Sequence, residues 1–374
     1  MNEADNQTVL PIGMRIEHYE LLKVLGCGGF GITYLALDKK RNRPVVIKEF
    51  FPKSAAIRQH LQTQVSLLSG DSEADFEKGL QRFENEALTL SSFKHPNIVE
   101  VIAMFPANGT AYFVMEHIEG QSLEDEQCQR NRAFTETELQ RELFPVLNGL
   151  AELHQRQLLH LDVKPDNILT SKYGEPLLID FGGARYATGQ DSKDISFMVA
   201  TEGYAPPEQY SLQPIQTAAT DLYAFGMTLY HLMAPTAIIP SSQDRQHAMI
   251  NEMSDPLVPV REVAPGYSEA LYRVVESCTR MAARKRPQSV EAIWVLLGDS
   301  AIKPVEHDQQ SKEDEHRATD HSSERNKSES HIKTRPITKA PEPVTVNYAP
   351  FPWWVVLCTL GVLGLAVMLG SAGS

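Results

Sequence analysis

Apolar residues in the first third of the chain fall into short runs separated by turn-forming residues. The runs cover residues 19–25, 32–37 and 43–51, with a glycine cluster after the first and a charged turn after the second. This spacing predicts successive antiparallel strands. Two further strand-like runs follow at residues 98–105 and 111–120. The chain therefore begins as a β-sheet.

A single helical pattern interrupts these strands. Leu80, Phe83, Ala87 and Leu90 recur at three- and four-residue steps, which predicts an amphipathic helix packed on the sheet and ended by the turn at residues 95–97. Before this stripe lies a polar stretch, residues 53–79, to which the pattern assigns no role.

The second half of the pattern is mainly helical. One long buried helix is predicted to continue through Pro145, and its apolar stripe consists of Leu139, Leu143, Val146, Leu147, Leu150 and Leu153. A β-rich portion followed by a larger α-rich portion indicates an α+β fold of two lobes, a β-rich N-lobe and an α-rich C-lobe. Ligands are expected in the cleft between them.

The C-terminal part changes character twice. Residues 299–350 have too few large apolar residues to form a core, so we expect a disordered linker. Residues 351–370 then form an uncharged apolar stretch that opens with an aromatic pair, Trp353 and Trp354, which predicts a single transmembrane helix followed by a short tail at 371–374. The alternative, a buried core helix, lacks a following domain to cover it.

Charge supports an orientation for this predicted anchor. Lys333, Arg335 and Lys339 precede it, and no basic residue follows it, so the positive-inside bias places the N-terminal domain in the cytoplasm, on the inner face of the cell membrane. The N-terminus shows no secretory signal. A small-xxx-small motif, Ala366 to Gly370, permits pairing of two copies as a homodimer.

Composition, charge and cysteine spacing exclude several classes of function. The chain is 42% hydrophobic and 22% charged, as expected for a globular protein, and its net charge of −13 without a long basic cluster argues against nucleic acid as a partner. Its four cysteines are far apart and lack CxxC spacing, which argues against a zinc site or a disulfide framework.

A glycine motif lies between the first two predicted strands. Gly26, Gly28 and Gly31 follow GxGxxG spacing, which lets backbone N–H groups approach phosphates. A dinucleotide-binding fingerprint uses the same letters but opens a helix. The strand–loop–strand setting here favours a loop that covers nucleotide phosphates.

Lys48 ends a β-branched run and is placed to contact the α- and β-phosphates of a nucleotide. Glu86, on the predicted helix, offers the carboxylate that would orient its ammonium group. Glu84 is the rival partner, but it faces away from the apolar stripe.

A cluster of acidic and amide residues follows the predicted long helix. Phosphoryl transfer needs a carboxylate that accepts the proton of the attacking hydroxyl, and Asp162 fits that need. Asn167 and Asp180 offer the oxygen ligands that Mg²⁺ prefers.

Together these motifs resemble the eukaryotic-type protein kinases, in particular their bacterial serine/threonine branch, over residues 19–298, with residues 1–18 as an extension. The resemblance implies ATP and Mg²⁺ as cofactors and Ser/Thr-containing protein substrates. It also implies that Arg286 is the buried partner of Glu208 and that Lys164 contacts the γ-phosphate during catalysis by Asp162. The implied nucleotide-binding residues are Leu25, Gly26, Gly28, Gly29, Gly31, Thr33, Lys48, Glu86, Met115 at the gatekeeper position, and Glu116 and Ile118 of the hinge, with Asn167 and Asp180 as metal ligands.

The chain departs from the family pattern at Leu161, where the family has an arginine before the catalytic aspartate. The guanidinium that would bind a phosphorylated activation segment is absent, so control by that route is not expected. For Thr201 in the same segment we expect a structural role. Two alternatives stay open: a pseudokinase scaffold that binds nucleotide without catalysis, and phosphotransfer to a small molecule.

Overall fold

The computed structural model describes residues 8–59, 62–68, 72–181, 185–186, 200–211 and 215–298. The chain separates into two units, residues 1–306 and 307–374. The predicted linker at 299–350, membrane helix at 351–370 and tail at 371–374 lie outside the described residues. Within the described ranges, we find no helix with the length and apolar character that a membrane span requires.

The strands and helices follow the predicted order, with β-structure first and α-structure after it. The described strands are β1 Arg15–Ile16, β2 Tyr19–Cys27, β3 Gly31–Asp38, β4 Arg43–Phe50, β5 Ala56–Ile57, β6 Ser66–Leu67, β7 Val101–Ala107, β8 Thr110–Glu116, β9 Gly120–Ser122, β10 Leu158–Leu159, β11 Ile168–Ser171, β12 Pro176–Leu178 and β13 Arg185–Tyr186. The described helices are α1 Ser72–Ser91, α2 Leu123–Arg130, α3 Glu136–Glu142, α4 Val146–Gln155, α5 Ala218–Met233, α6 Ser242–Ile250, α7 Val260–Val263, α8 Glu269–Cys278 and α9 Val290–Leu297.

The N-lobe is built on an antiparallel sheet. Among the described residues its strand order is β1-β2-β3-β4-β8-β7, and the predicted strands over residues 19–51 are confirmed as β2, β3 and β4. Side chains alternate between the two faces, so that Ile32, Tyr34 and Ala36 of β3 are fully buried. The register places Lys48 of β4 opposite Phe113 of β8.

The predicted amphipathic helix is confirmed as α1. Phe83, Ala87 and Leu90 of its apolar stripe are buried and Leu80 is half-buried. The Phe83 ring lies 4.7 Å from that of Phe113 and 5.5 Å from that of Phe50. Glu73 and Asp75 in its first turn match the positive end of the helix dipole. The helix ends at Ser91, before the predicted turn.

The prediction of one long helix through Pro145 is wrong. The chain forms α3 and α4 instead, separated at residues 143–145. Proline has no N–H to donate, so it cannot continue the hydrogen-bond ladder of α3. Pro145 takes the position just before α4, and all six residues of the predicted stripe are nonetheless buried.

The C-lobe packs around α5, which is apolar on nearly every side. Almost all of its residues are buried, as expected for a helix at the centre of a lobe. Gly226 lies where α5 crosses α8, and a Cβ there would stand 2.4 Å from the Cβ of Cys278. A glycine at this position allows the two helices to approach closely.

The stretch at residues 53–79, to which the sequence assigned no role, forms a hairpin and the start of α1. Strands β5 and β6 pair with Ala56 opposite Leu67. The hairpin is joined to the sheet by a bond from the Val65 amide to the Asn108 carbonyl, at 2.8 Å. Residues 8–16 also pack on the N-lobe, with Leu10 fully buried.

Candidate active site

The glycine loop connects β2 and β3 above the cleft. The Gly28 amide donates to the Gly31 carbonyl at 2.9 Å and closes the turn. A Cβ at Gly31 would lie 2.5 Å from the carbonyl oxygen of Glu49, so only glycine fits beside β4. At Gly26 and Gly29 a Cβ would meet nothing within 4 Å, so these two glycines leave space above the cleft. Leu25 is half exposed, and Thr33 pairs with Lys48 across β3 and β4.

Lys48 extends from β4 into the cleft. Its ammonium group donates a hydrogen bond to Oδ1 of Asp180, which follows β12 in the other lobe. The side chain of Lys48 is 12% exposed and that of Asp180 is 47% exposed, so the ion pair lies at the edge of the open cleft. A side chain of the N-lobe, Lys48, and one of the C-lobe, Asp180, therefore meet in the cleft.

The predicted ion pair between Lys48 and Glu86 is not formed in this structure. Oε1 of Glu86 is shielded from solvent and has no hydrogen-bond partner. Burial raises the pKa of Glu86 to about 8, against the opposing effect of the nearby Lys48 charge. The Lys48 charge is thus close enough to influence the pKa of Glu86, although the two side chains form no ion pair. Burial also raises the pKa of Glu84, the rival residue.

The segment after β10 carries the acidic cluster. Its backbone is held by the buried carboxylate of Asp221 on α5, which accepts from the amides of His160 at 2.9 Å and Leu161 at 2.7 Å. Leu161 has a left-handed φ of 62°, and Asp180 a φ of 58°. Such strained residues concentrate at functional sites, and Asp221 supplies the bonds that retain the strain at Leu161.

Asp162 stands at the centre of a hydrogen-bonded group. Its carboxylate accepts from Lys164 Nζ at 2.9 and 3.1 Å, from the Asn167 amide at 2.7 Å and from the Thr201 hydroxyl at 2.5 Å. Lys164 also donates to the Thr201 hydroxyl at 2.9 Å. Three side chains therefore fix the Asp162 carboxylate, and the Thr201 hydroxyl bonds to both that carboxylate and the Lys164 ammonium group.

Asn167 and Asp180 are the two residues predicted to bind Mg²⁺ through oxygen atoms. The Asn167 Nδ2 atom donates to both the carbonyl and the carboxylate of Asp162, so its amide oxygen is the atom left for a cation. Among the described residues we find no group of three His, Cys, Asp or Glu side chains that could hold a metal alone. A site of one amide and one carboxylate fits Mg²⁺, which shares its coordination with water and phosphate oxygens.

The back of the cleft lies at the end of β8. Met115 is buried and pairs with Val46 of β4. Glu116 is exposed, and its amide donates to the Glu100 carbonyl at 3.0 Å. Ile118 is half-buried in the connection towards β9. These residues form an apolar wall followed by a backbone segment that leads into the C-lobe.

Comparison with known proteins identifies a family whose members are similar to this chain. The family described as "Protein kinase domain" covers residues 19–294 of the chain, well over half of its length. This chain belongs to the protein kinase family. The kinase fold is also that of a solved structure titled "PpkA-294 apo form", with a TM-score of 0.65, 32% identity and coverage of 78% of this chain and all of that one.

Curated relatives include bacterial serine/threonine kinases. The chain is 30% identical over 302 residues to serine/threonine-protein kinase C of Synechocystis, covering 77% of this chain and 51% of that protein. It is 31% identical over 223 residues to the kinase PrkC of Bacillus subtilis, covering 59% of this chain and 31% of that protein. The chain thus spans about half or less of these relatives.

Two parts of the kinase site were not assigned from the sequence. The sequence predicts a structural role for Thr201 but not its contacts, and its hydroxyl lies between Asp162 and Lys164. The sequence assigns no role to Asp221, which holds the backbone before Asp162. A charged residue within an otherwise apolar helix was the available signal for Asp221. The predicted pairing of Arg286 with Glu208 is confirmed, with two bonds at 2.5 and 3.1 Å.

Proposed function

We propose that this chain is a serine/threonine protein kinase that transfers the γ-phosphate of ATP to Ser or Thr hydroxyls of protein substrates. The observation that carries the proposal is the Asp162 carboxylate, fixed by Lys164, Asn167 and Thr201. A carboxylate held this way orients a substrate hydroxyl and accepts its proton. The Lys164 ammonium group beside it stabilises negative charge on the transferred phosphoryl group.

The other residues of the cleft bind ATP and Mg²⁺. Gly26, Gly28, Gly29 and Gly31 cover the phosphates, flanked by Leu25 and Thr33, and Lys48 contacts the α- and β-phosphates. In the nucleotide-bound state Lys48 is held by Glu86. Mg²⁺, when bound through Asn167 and Asp180, neutralises phosphate charge. Adenine lies against Met115 and the backbone at Glu116 and Ile118.

Protein hydroxyls are favoured over small-molecule acceptors by Thr201. Thr201 bonds to Asp162, and Glu208 a few residues later is fixed to the C-lobe by Arg286. A segment of backbone held at these two points next to the base provides a surface for an extended peptide. The names of the curated relatives support the same substrate class.

The decisive experiment replaces the proposed base. Asp162→Asn is expected to lower phosphate transfer to protein substrates by at least about 10²-fold, because a general base contributes about 10²–10⁴. Nucleotide affinity should stay close to that of the wild type. Transfer is measured with labelled ATP and Mg²⁺, followed by identification of the phosphorylated residues.

The matched control is Glu175→Gln, which removes a charge from the exposed turn between β11 and β12. It should transfer phosphate at the wild-type rate. If the wild-type protein binds nucleotide but transfers no phosphate to itself or to generic proteins, the pseudokinase alternative replaces this proposal.

We further propose that residues 351–370 anchor the kinase domain to the cytoplasmic face of the cell membrane through the linker at 299–350. The support is the length of the uncharged apolar stretch, its Trp353–Trp354 pair and the basic residues before it. The small-xxx-small motif within this stretch supports pairing of two copies.

The anchor is tested by fractionation after an alkaline wash. The wild-type chain should remain with the membranes, and a double variant, Leu360→Arg with Leu363→Arg, should be released, because each arginine costs about 2.5–3.5 kcal/mol near the centre of a span. The double variant with isoleucine at the same positions is the control and should remain bound. A wild-type chain found in the supernatant would contradict the anchor.

A further inference from the structure

Glu49 is a fully buried carboxylate directly beside the cleft lysine. Successive side chains of a strand point to opposite faces, so Lys48 reaches into the cleft and Glu49 points to the back of the sheet. Glu49 is 0% exposed. A charge in that position requires partners, because an isolated buried carboxylate is strongly disfavoured.

The partners come from three separate elements. Tyr34 of β3 donates to Oε2 of Glu49 at 3.0 Å, and Tyr112 of β8 donates to Oε1 at 2.5 Å. Arg58, from the β5–β6 hairpin, donates to both oxygens, at 3.3 Å for Oε2. We call Tyr34, Glu49, Arg58 and Tyr112 the Glu49 cluster. It ties the three central strands together at the residue next to Lys48.

Burial fixes the direction of these bonds. The pKa of both tyrosines is raised, by burial first and then by the Glu49 charge, so each phenol keeps its proton and donates it. The Arg58 side chain is only 1% exposed and provides the compensating positive charge. Its guanidinium also stacks on Phe51, 5.0 Å from the ring centre.

Arg58 also connects the cluster to the start of the chain. Its Nη1 donates to the Thr8 carbonyl at 2.6 Å, and its Nε donates to the Thr63 carbonyl at 3.1 Å. The Leu10 amide donates to the Tyr34 hydroxyl at 3.1 Å, with the Leu10 side chain fully buried. Residues 8–16, here called the N-terminal segment, thus cover the cluster from behind.

The backbone around Glu49 supports the glycine loop as well. The Glu49 carbonyl is the atom that a Cβ at Gly31 would strike. The Phe51 amide donates to the Phe30 carbonyl at 2.9 Å, and the Lys53 amide donates to the Gly29 carbonyl at 3.0 Å. Residues 49–53 therefore underlie the loop, while the side chain of Glu49 is fixed from the opposite face.

We propose that Glu49 and Arg58 are positioning residues that hold Lys48 and the glycine loop in the geometry needed for ATP, with the N-terminal segment completing the Glu49 cluster. This inference rests on the proposed function. Both side chains are buried behind the sheet, on the face opposite Lys48, so both act through β4 and the residues after it. The polar stretch at 53–79 gains a role, because it delivers Arg58 to the back of the sheet.

The test compares two buried arginines in the full-length chain. Arg58→Met leaves the Glu49 charge uncompensated beside Lys48, so the KM for ATP is expected to rise about tenfold, with a similar loss of affinity for a fluorescent ATP analogue. Arg245→Met is the matched control. Arg245 is 4% exposed and paired with Asp255, but it lies in the C-lobe away from the cleft.

Both variants should melt at a lower temperature, and all kinetics are measured below those transitions. The Arg245 variant should keep the KM for ATP of the wild type. If the two variants lose the same stability and neither changes KM or analogue affinity, Arg58 is only structural and the proposal fails.

A milder pair covers the case in which Arg58→Met does not fold. Leu10→Ala removes buried packing from the N-terminal segment without touching Arg58, and it should raise the KM for ATP by about threefold. Arg58→Lys keeps the positive charge but forms fewer hydrogen bonds, so its KM for ATP should lie between those of the wild type and Arg58→Met. Unchanged KM in both variants also overturns the proposal.

The analogue affinity separates this inference from the proposed function. A wild-type protein that transfers no phosphate overturns the kinase activity, whereas the effect of Arg58 on nucleotide affinity can still be measured. Conversely, an active wild-type enzyme with unaltered affinity in the Arg58 variants overturns only the positioning role.

Discussion

Glu86 carries the clearest electrostatic signal of any single residue in the cleft. Its Oε1 atom is shielded from solvent and has no hydrogen-bond partner, whereas the Lys48 ammonium group that would neutralise the carboxylate is bound to Asp180. Burial therefore raises the pKa of Glu86 to about 8. The residue holds a proton over a pH range in which an exposed glutamate has lost it.

This proton makes stability depend on pH. The folded pKa of about 8 is above the ordinary value of 4.5, so between these pH values the folded state binds a proton that the unfolded state has released. The free energy of unfolding of the nucleotide-free protein should fall as the pH rises through that window. Denaturant unfolding at several pH values measures the slope.

Glu86→Gln should flatten that slope, because an amide does not titrate. Glu77→Gln, which changes an exposed glutamate on the same helix, should keep the wild-type slope. Equal slopes for the wild type and the Glu86 variant would show that Glu86 is ionised in the folded protein.

At the scale of residues, the sequence indicated which side chains belong to the candidate site better than it indicated their contacts. Asp162, Lys164 and Asn167 are close in the sequence and also bond to one another in the structure, because neighbouring positions in a loop remain close in space. Thr201 and Asp221 join the same group from distant parts of the chain, which no local pattern encodes. The role of Arg58 could not be predicted for the same reason, since the other members of the Glu49 cluster lie on strands β3, β4 and β8.

At the scale of elements, the contact between α5 and α8 depends on a missing side chain. A Cβ at Gly226 would overlap the Cβ of Cys278 at 2.4 Å and lie 3.3 Å from Cγ2 of Thr279. Neither obstacle is the end of a flexible chain. The helices would have to separate to admit even one methyl group.

Gly226→Ala should therefore destabilise the fold by up to about 2 kcal/mol, because an overpacking cost of about 1–3 kcal/mol is offset by a gain in helix propensity of about 1 kcal/mol. The midpoint of urea unfolding measures this change, provided that the slope is constant. Gly26→Ala is the control, because a Cβ at Gly26 meets nothing within 4 Å. A Gly226 variant as stable as the wild type would mean that the helices move apart at little cost.

Elements were predictable where periodicity alone decides structure. The strands β2 to β4 and the helix α1 follow directly from alternation and from three- and four-residue steps. The break between α3 and α4 was missed because all six apolar positions remain buried on both sides of Pro145. The β5–β6 hairpin was missed because its two-residue strands are too short to produce a pattern.

On the scale of the whole molecule, the two lobes meet at a few defined points. Backbone bonds join the residues after α1 to β12, from Val99 to Leu178 at 3.0 Å and from Leu178 to Asn97 at 2.9 Å. Across the cleft, Lys48 pairs with Asp180. Nucleotide and Mg²⁺ would bind at this second junction and would therefore stabilise the arrangement of both lobes.

ATP with Mg²⁺ should raise the melting temperature by about 5 °C at a concentration of about 100 times Kd, which corresponds to about 2.7 kcal/mol. Removal of Mg²⁺ with a chelator should reduce that shift. Asp180→Asn should lose the Mg²⁺-dependent part, because a metal ligand is weakened, whereas Glu175→Gln should keep it. A shift that is independent of Mg²⁺ in the wild type would contradict the assignment of Asp180.

The N-terminal segment also bears on where the folded domain starts. The family match begins at residue 19, whereas Thr8 and Leu10 already bond to Arg58 and Tyr34. A recombinant protein trimmed to the match would uncover an apolar hollow behind β3 and deprive a buried guanidinium of an acceptor. Such a fragment would be a poor reference for inhibitor screening, since its weakened ATP affinity would reflect the site of truncation and not the enzyme.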